Sequence, residues 1–234
     1  MDKTPYTIRY SEKAQSLQLR ISAKGLEVVI PKKLRNLSQS KVDEFIRLKQ
    51  SWIDKHHQHL FAIPKEIALP QVISLKSLDQ DWQVHYENRD LAKSTLHADV
   101  DRKRLYIHGN MTQIATCLQL LRAWLSQLAN VYLPIWLSEI SLVSGLSYHK
   151  VSIRNNKTRW GSCSSDKKIS LSCQLLFLPH KYVKHIILHE LCHTKKMHHG
   201  HAFWALLQKY DPDAINHAKE VRRLSKTIPA WVKD

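Results

Sequence analysis

Residues 189–193 read His189-Glu190-Leu191-Cys192-His193, a spacing whose chemistry makes sense on a helix. Side chains four apart lie on one helical face, so His189 and His193 can present two imidazole nitrogens to one tetrahedral ion. Glu190 is rotated about 100° from His189, which sets it beside the ion as a base rather than on it as a ligand. Zinc lowers the pKa of a bound water to about 7, and a neighbouring carboxylate takes the proton as hydroxide attacks a carbonyl or phosphoryl centre. The competing explanation is a solvated His-Glu-His face. Against it, Val183, Ile186, Ile187, Leu188 and Leu191 make the helix largely apolar, and polar groups buried beside such a surface are costly without a ligand.

A catalytic zinc site needs a third protein ligand. Continuing the helix puts Lys196 and Met197 on the metal face, and neither suits zinc, so the chain must turn first. His198-His199-Gly200-His201 follows, with Gly200 expected to adopt the positive φ that ends a helix. His199, six residues after His193, has the spacing of a compact three-histidine site and is the expected ligand. His198 and His201 compete with it, and Glu220 is a weaker alternative.

The elements that must position these groups can be read from the sequence pattern. Leu17, Leu19 and Ile21 alternate with polar residues, Lys24-Gly25 offers a turn, and Leu26–Ile30 reads as a strand ended by Pro31. Ser38 is a candidate N-cap for a helix reaching about His59. Further strands are expected around Trp82, Val84 and Tyr86 and at Leu105–Ile107. A long helix is expected from Thr112 to about Val143, with Pro134 a kink or restart and Gly145 its stop. Tyr148–Arg154 and Lys168–Cys173 read as strands around a loop at 155–163. Pro179 then opens the motif helix, and helices follow at His201–Tyr210 and Asp213–Leu224. This is an α+β pattern, with an N-terminal β-rich region with one helix over 1–110 and a hydrolase domain over 111–234.

Composition sets outer limits. The chain has 234 residues, 43% hydrophobic and 24% charged, enough apolar material to bury a core. No secretory leader is visible at the N-terminus, and the apolar stretch Leu118–Leu137 is interrupted by polar residues, so a cytoplasmic protein without a membrane span is expected. Cys117, Cys163, Cys173 and Cys192 form no CxxC pair, which fits reduced thiols. The net charge of +16 is made of +6 over residues 1–60, 0 over 61–110 and +10 over 111–234. Such a field attracts acidic partners, nucleic acid or nucleotides among them, although a generally basic surface explains the count equally well.

HELCHTKKMHHGHAFW and KTRWGSC together resemble the YgjP-like metallopeptidases, relatives of the SprT/Spartan and WLM proteases. YTIRYSEKAQSLQLRIS, VVIP and the segment ending KQSWI extend the resemblance over nearly the whole chain. The family's usual Asn-His pair stands here as His198-His199, which supports His199 as ligand and makes His198 a departure. The resemblance implies a minimal gluzincin-type (zincin) core: a helix bearing the pentad, under a small sheet whose edge strand holds an extended protein or peptide substrate. In the second signature, Arg159 could pair with an anionic substrate group or an oxyanion, and Gly161 permits close backbone approach. Trp160 is a substrate-binding candidate with packing as its competing role, and Cys163 a remote candidate ligand. The expectation is a Zn2+ peptidase with Glu190 as base. The alternative is a nucleotide phosphohydrolase, such as a nucleoside triphosphate pyrophosphatase, at the same metal site. A structural zinc protein binding nucleic acid would have no use for Glu190.

Overall fold

The structure is a computed structural model that describes residues 6–22, 25–54, 68–91, 93–156 and 158–233. By compactness the chain divides into Met1–Glu66 and Ile67–Asp234. In the first unit, β1 (Tyr6–Ser11), β2 (Gln18–Ser22) and β3 (Gly25–Pro31) form a sheet in the order β1-β3-β2, with β3 parallel to β1 and antiparallel to β2. Leu26, Val28 and Ile30 alternate onto one face of β3 and share a core with Val42, Ile46 and Ile53. Val42 and Ile46 lie four apart on α1 (Gln39–Leu48), the spacing that puts both on one face. Lys24 of the expected turn and the end of the expected helix, residues 55–59, fall outside the described residues.

In the second unit, β4 (Val72–Leu75), β5 (Gln80–Asn88), β6 (Thr95–Asp99) and β7 (Arg104–Gly109) pair in the order β4-β5-β7-β6. Ile73, Leu75, Trp82, Val84, Leu105 and Ile107 join residues of α2 (Ile114–Ser144) in one core, where the rings of Trp82 and Trp124 meet edge-on at 5.0 Å. That shared core corrects the expected boundary near 110: a sheet whose apolar face is covered by α2 cannot part from it without exposing Trp82 and its neighbours to water. Pro134 lies inside α2, which has no restart there, and Gly145 ends the helix at φ +70°.

The same core continues into β8 (Lys150–Arg154), β9 (Gly161–Cys163) and β10 (Lys168–Ser172), ordered β8-β10-β9, with β10 parallel to β8 and antiparallel to β9. The second signature is therefore partly strand: Gly161–Cys163, expected as loop, forms the edge. Four helices follow, α3 (His180–His193), α4 (His201–Tyr210), α5 (Ala214–Leu224) and α6 (Ala230–Lys233). Among the described residues no helix is long and apolar enough to cross a membrane.

Candidate metal centre

Helix α3 is set by burial. Val183, Ile187 and Leu191 are 0% exposed and four apart, so this face is fixed in the core, and the face carrying His185, His189 and His193 turns toward α4 and α5. The helix ends at Thr194, whose hydroxyl donates to the Leu191 carbonyl at 2.7 Å. The chain then turns so that His199 comes back over the helix. Gly200 does this without the expected positive φ: it is extended (φ −79°, ψ −178°) and serves as N-cap of α4. The reversal therefore belongs to residues 195–199 and not to a left-handed glycine.

Three imidazoles meet as a result. His189 Nε2 is 3.2 Å from His193 Nε2 and 3.0 Å from His199 Nε2. One ring nitrogen cannot satisfy two others as hydrogen-bond partner at once, since each is either a single donor or a single acceptor. Nitrogens bound tetrahedrally to one zinc at about 2.0–2.1 Å stand roughly 3.3 Å apart, so the donor set fits an ion. The tautomers agree: His193 Nδ1 donates to the Lys196 carbonyl at 3.1 Å, which frees its Nε2 lone pair. Burial, then the neighbouring His193 and His199, push His189 down to about 3, the neutral form a metal requires. His198, His201, Glu220 and Cys163 do not join this group among the described residues.

Glu190 follows His189 on α3 and is 6% exposed. Burial pushes its carboxyl up to about 8, and the charge of Arg159 pulls in the other direction. Edge strand β9 presses against it: a Cβ on Gly161 would stand 2.8 Å from Glu190 Cγ and from Oε1. Any side chain here would have to displace the Glu190 carboxyl, whatever the dihedral angles of Gly161. Arg159 is exposed. Trp160 is half-buried and packs against the main core, and its carbonyl accepts from Ser172 N at 2.8 Å.

Two features escaped the sequence reading. Phe203, fully buried, lies 4.9, 4.6 and 4.8 Å from the rings of His189, His193 and His199, forming an apolar backing that fixes all three. Its position four residues after His199, in the helix that His199 precedes, was the available signal. The other is His185, Asp211 and His217. His185 Nδ1 donates to Asp211 Oδ2 at 2.6 Å, and His217 Nδ1 lies 2.9 and 3.0 Å from the two carboxylate oxygens. Burial raises the Asp211 carboxyl, but the bonds from His217 and His185 outweigh it and hold the group below its ordinary value. This network ties α3 to the α4–α5 connection and to α5.

No curated protein matches. The chain is similar to the crystal structure of the metallopeptidase zymogen of Pyrococcus abyssi abylysin, at 26% identity over 40% of this chain and 93% of that one, with a TM-score of 0.35. The model of the YgjP-like metallopeptidase domain matches residues 15–224, nearly the full length, and the chain belongs to the YgjP-like metallopeptidase family.

Proposed function

We propose that the chain is a zinc peptidase with a compact zincin-type core, in which His189, His193 and His199 hold the ion and Glu190 is the general base. The observation that carries this is the meeting of three Nε2 atoms with no carboxylate between them, on a helix whose next residue after His189 is a buried carboxylate. Bound there, zinc would polarise the scissile carbonyl and acidify the attacking water. Glu190 takes a proton from that water and delivers it to the departing amine, so peptide and water become carboxylate and amine. Burial raises this carboxyl while no ion is bound, and the charge of a bound zinc would lower it into the range in which it can take and return a proton. Gly161 and the buried helix keep Glu190 in one place, and Phe203 holds the imidazoles. β9 stands at the sheet edge, where unpaired backbone groups can pair with an extended peptide, and Arg159 follows as a contact for an anionic group.

The test is turnover of a peptide library and a nucleotide panel by zinc-loaded protein and by Glu190→Gln. The reading expects peptide cleavage by the wild type, lost in the variant with zinc retained. Phosphate or pyrophosphate release without peptide cleavage would move the same site to the phosphohydrolase alternative.

A further inference from the structure

The far face of the β8-β10-β9 sheet carries chemistry that the metal centre does not use. Gly161 faces Glu190, so Ser162, next along β9, faces the other way. Ser170 pairs with Ser162 on one side and with Ser152 on the other, which places three serines in one row across the three strands. Ile169 and Leu171, either side of Ser170, are 1% and 0% exposed and belong to the core. The serine row is therefore on the outer face. Two residues along from it, Lys150 pairs with Lys168, and at the opposite end Arg154 pairs with Ser172. A groove of about 600 Å³ runs over this face, bordered by Asn156 and, at the side toward the metal centre, by Arg159, which the inference does not use.

The polar groups in the groove are short of partners. Ser170 Oγ and Asn156 Nδ2 are buried and have no hydrogen-bond partner among the described residues. Burying such groups unpaired is unfavourable unless something else meets them. Asp166, an acid near the groove, is already held by Lys168 at 2.6 Å. Hydroxyls, an amide nitrogen and cations together offer donors to an oxyanion. They also span too far for a single one: Lys150 and Arg154 are four residues apart on one strand, about 13 Å at the usual rise. A ligand that repeats its negative charges along a chain satisfies both ends. Among the described residues no aromatic ring lines the groove, so none of them stacks on bases there, and recognition falls to the backbone.

We infer that this outer sheet face binds the phosphodiester backbone of nucleic acid, without sequence preference, at a site separate from the metal centre. The inference does not depend on the peptidase reading. Phosphate is favoured over the carboxylates of an acidic protein because the row of neutral hydroxyls and the amide can each donate to a tetrahedral group with several accepting oxygens, while Lys150 and Arg154 supply charge at the two ends.

Fluorescence anisotropy of labelled duplex and single-stranded DNA of about 20 nucleotides, titrated with the full chain at several salt concentrations, tests this directly. The double variant Lys150→Gln/Arg154→Gln changes exposed side chains, and thermal melting with metal content confirms that it folds. It should bind DNA at least about tenfold more weakly near 100 mM salt, with the slope of log K against log salt reduced by about 2. Ser170→Ala should weaken binding about threefold while raising the melting temperature of the free protein, a pair of changes that a purely structural hydroxyl would not produce. Wild-type affinity and slope in the double variant would overturn the assignment. So would displacement of DNA by polyglutamate at equal charge, which would make the ligand an acidic polypeptide, or by inorganic phosphate at equal concentration, which would reduce the site to a simple anion pocket.

Discussion

Among the described residues two histidine clusters lie little more than one helical turn apart along α3, one reaching the surface at His199 and the other largely buried, and they differ in what lies between the rings. In His189, His193 and His199 nitrogen faces nitrogen at 3.0 and 3.2 Å. In His185, Asp211 and His217 each ring faces a carboxylate at 2.6 to 3.0 Å. A carboxylate accepts both Nδ1 protons and completes the second cluster without an ion, whereas in the first no carboxylate faces the nitrogens and an ion is what would engage all three at once. Both clusters have metal-ligating residue types within 4.8 Å of one another. Proximity alone therefore does not distinguish a metal site from a clamp. The atom facing each ring nitrogen does.

The largest expected contrast follows from exchanging the clusters' fates. His193→Ala should abolish zinc retention and peptidase activity, a loss of at least about a thousandfold if the ion is essential, while His217→Ala keeps one zinc per chain. Metal analysis with a turnover assay separates these outcomes, and zinc loss in His217→Ala would erase the distinction. Next in size is Gly161→Ala. Its new Cβ would press on Glu190 and should lower kcat about ten- to a hundredfold with zinc retained, because small displacements of a catalytic base are expensive. Normal turnover would show that β9 does not fix the base.

Asp211→Asn sharpens the other side of the comparison. An amide lacks the charge and replaces one accepting oxygen with an NH2 group that would face a ring N–H, and weakening a buried charged hydrogen bond in this way costs about 1–3 kcal/mol. Urea denaturation should register a loss of that size, with zinc content unchanged.

The smallest effect is electrostatic, in the metal-free protein. Between pH 4.5 and about 8 the folded chain keeps a proton on Glu190 that the unfolded chain has released, so stability falls as pH rises through this interval. His189 acts in the opposite direction: between about 3 and 6.5 the unfolded chain binds the extra proton, and stability rises with pH. The two oppose each other from 4.5 to 6.5, and a decline remains from 6.5 to 8, at most about 1.4 kcal/mol per pH unit. Denaturation of the apoprotein across that range should show the decline in the wild type and not in Glu190→Gln.

Local patterns made much of this legible. The spacing of His189, Glu190 and His193 on an apolar helix carries its own geometry, and the strand alternation at Leu26–Ile30 and at Trp82 and Val84 is that of half-buried sheets. What depended on contacts between distant segments was not legible. The boundary near 110 dissolved because the side chains of β4–β7 close on α2, which periodicity within either element does not reveal. Gly161–Cys163 reads as loop because three residues are too few to show alternation, yet pairing with β10 makes them an edge strand. Asp211 and His217 are 26 and 32 residues from His185, and nothing local joins them. Gly200 suggested a left-handed helix stop, but the turn is made upstream and the glycine caps the next helix instead.

The most direct measurement is anomalous diffraction at the zinc edge from crystals of the zinc-loaded protein. The account predicts one peak per chain, at about 2.0–2.1 Å from the Nε2 atoms of His189, His193 and His199, and none at His185, Asp211 and His217. A peak in the second cluster, or a first cluster without density at full zinc loading, would contradict it.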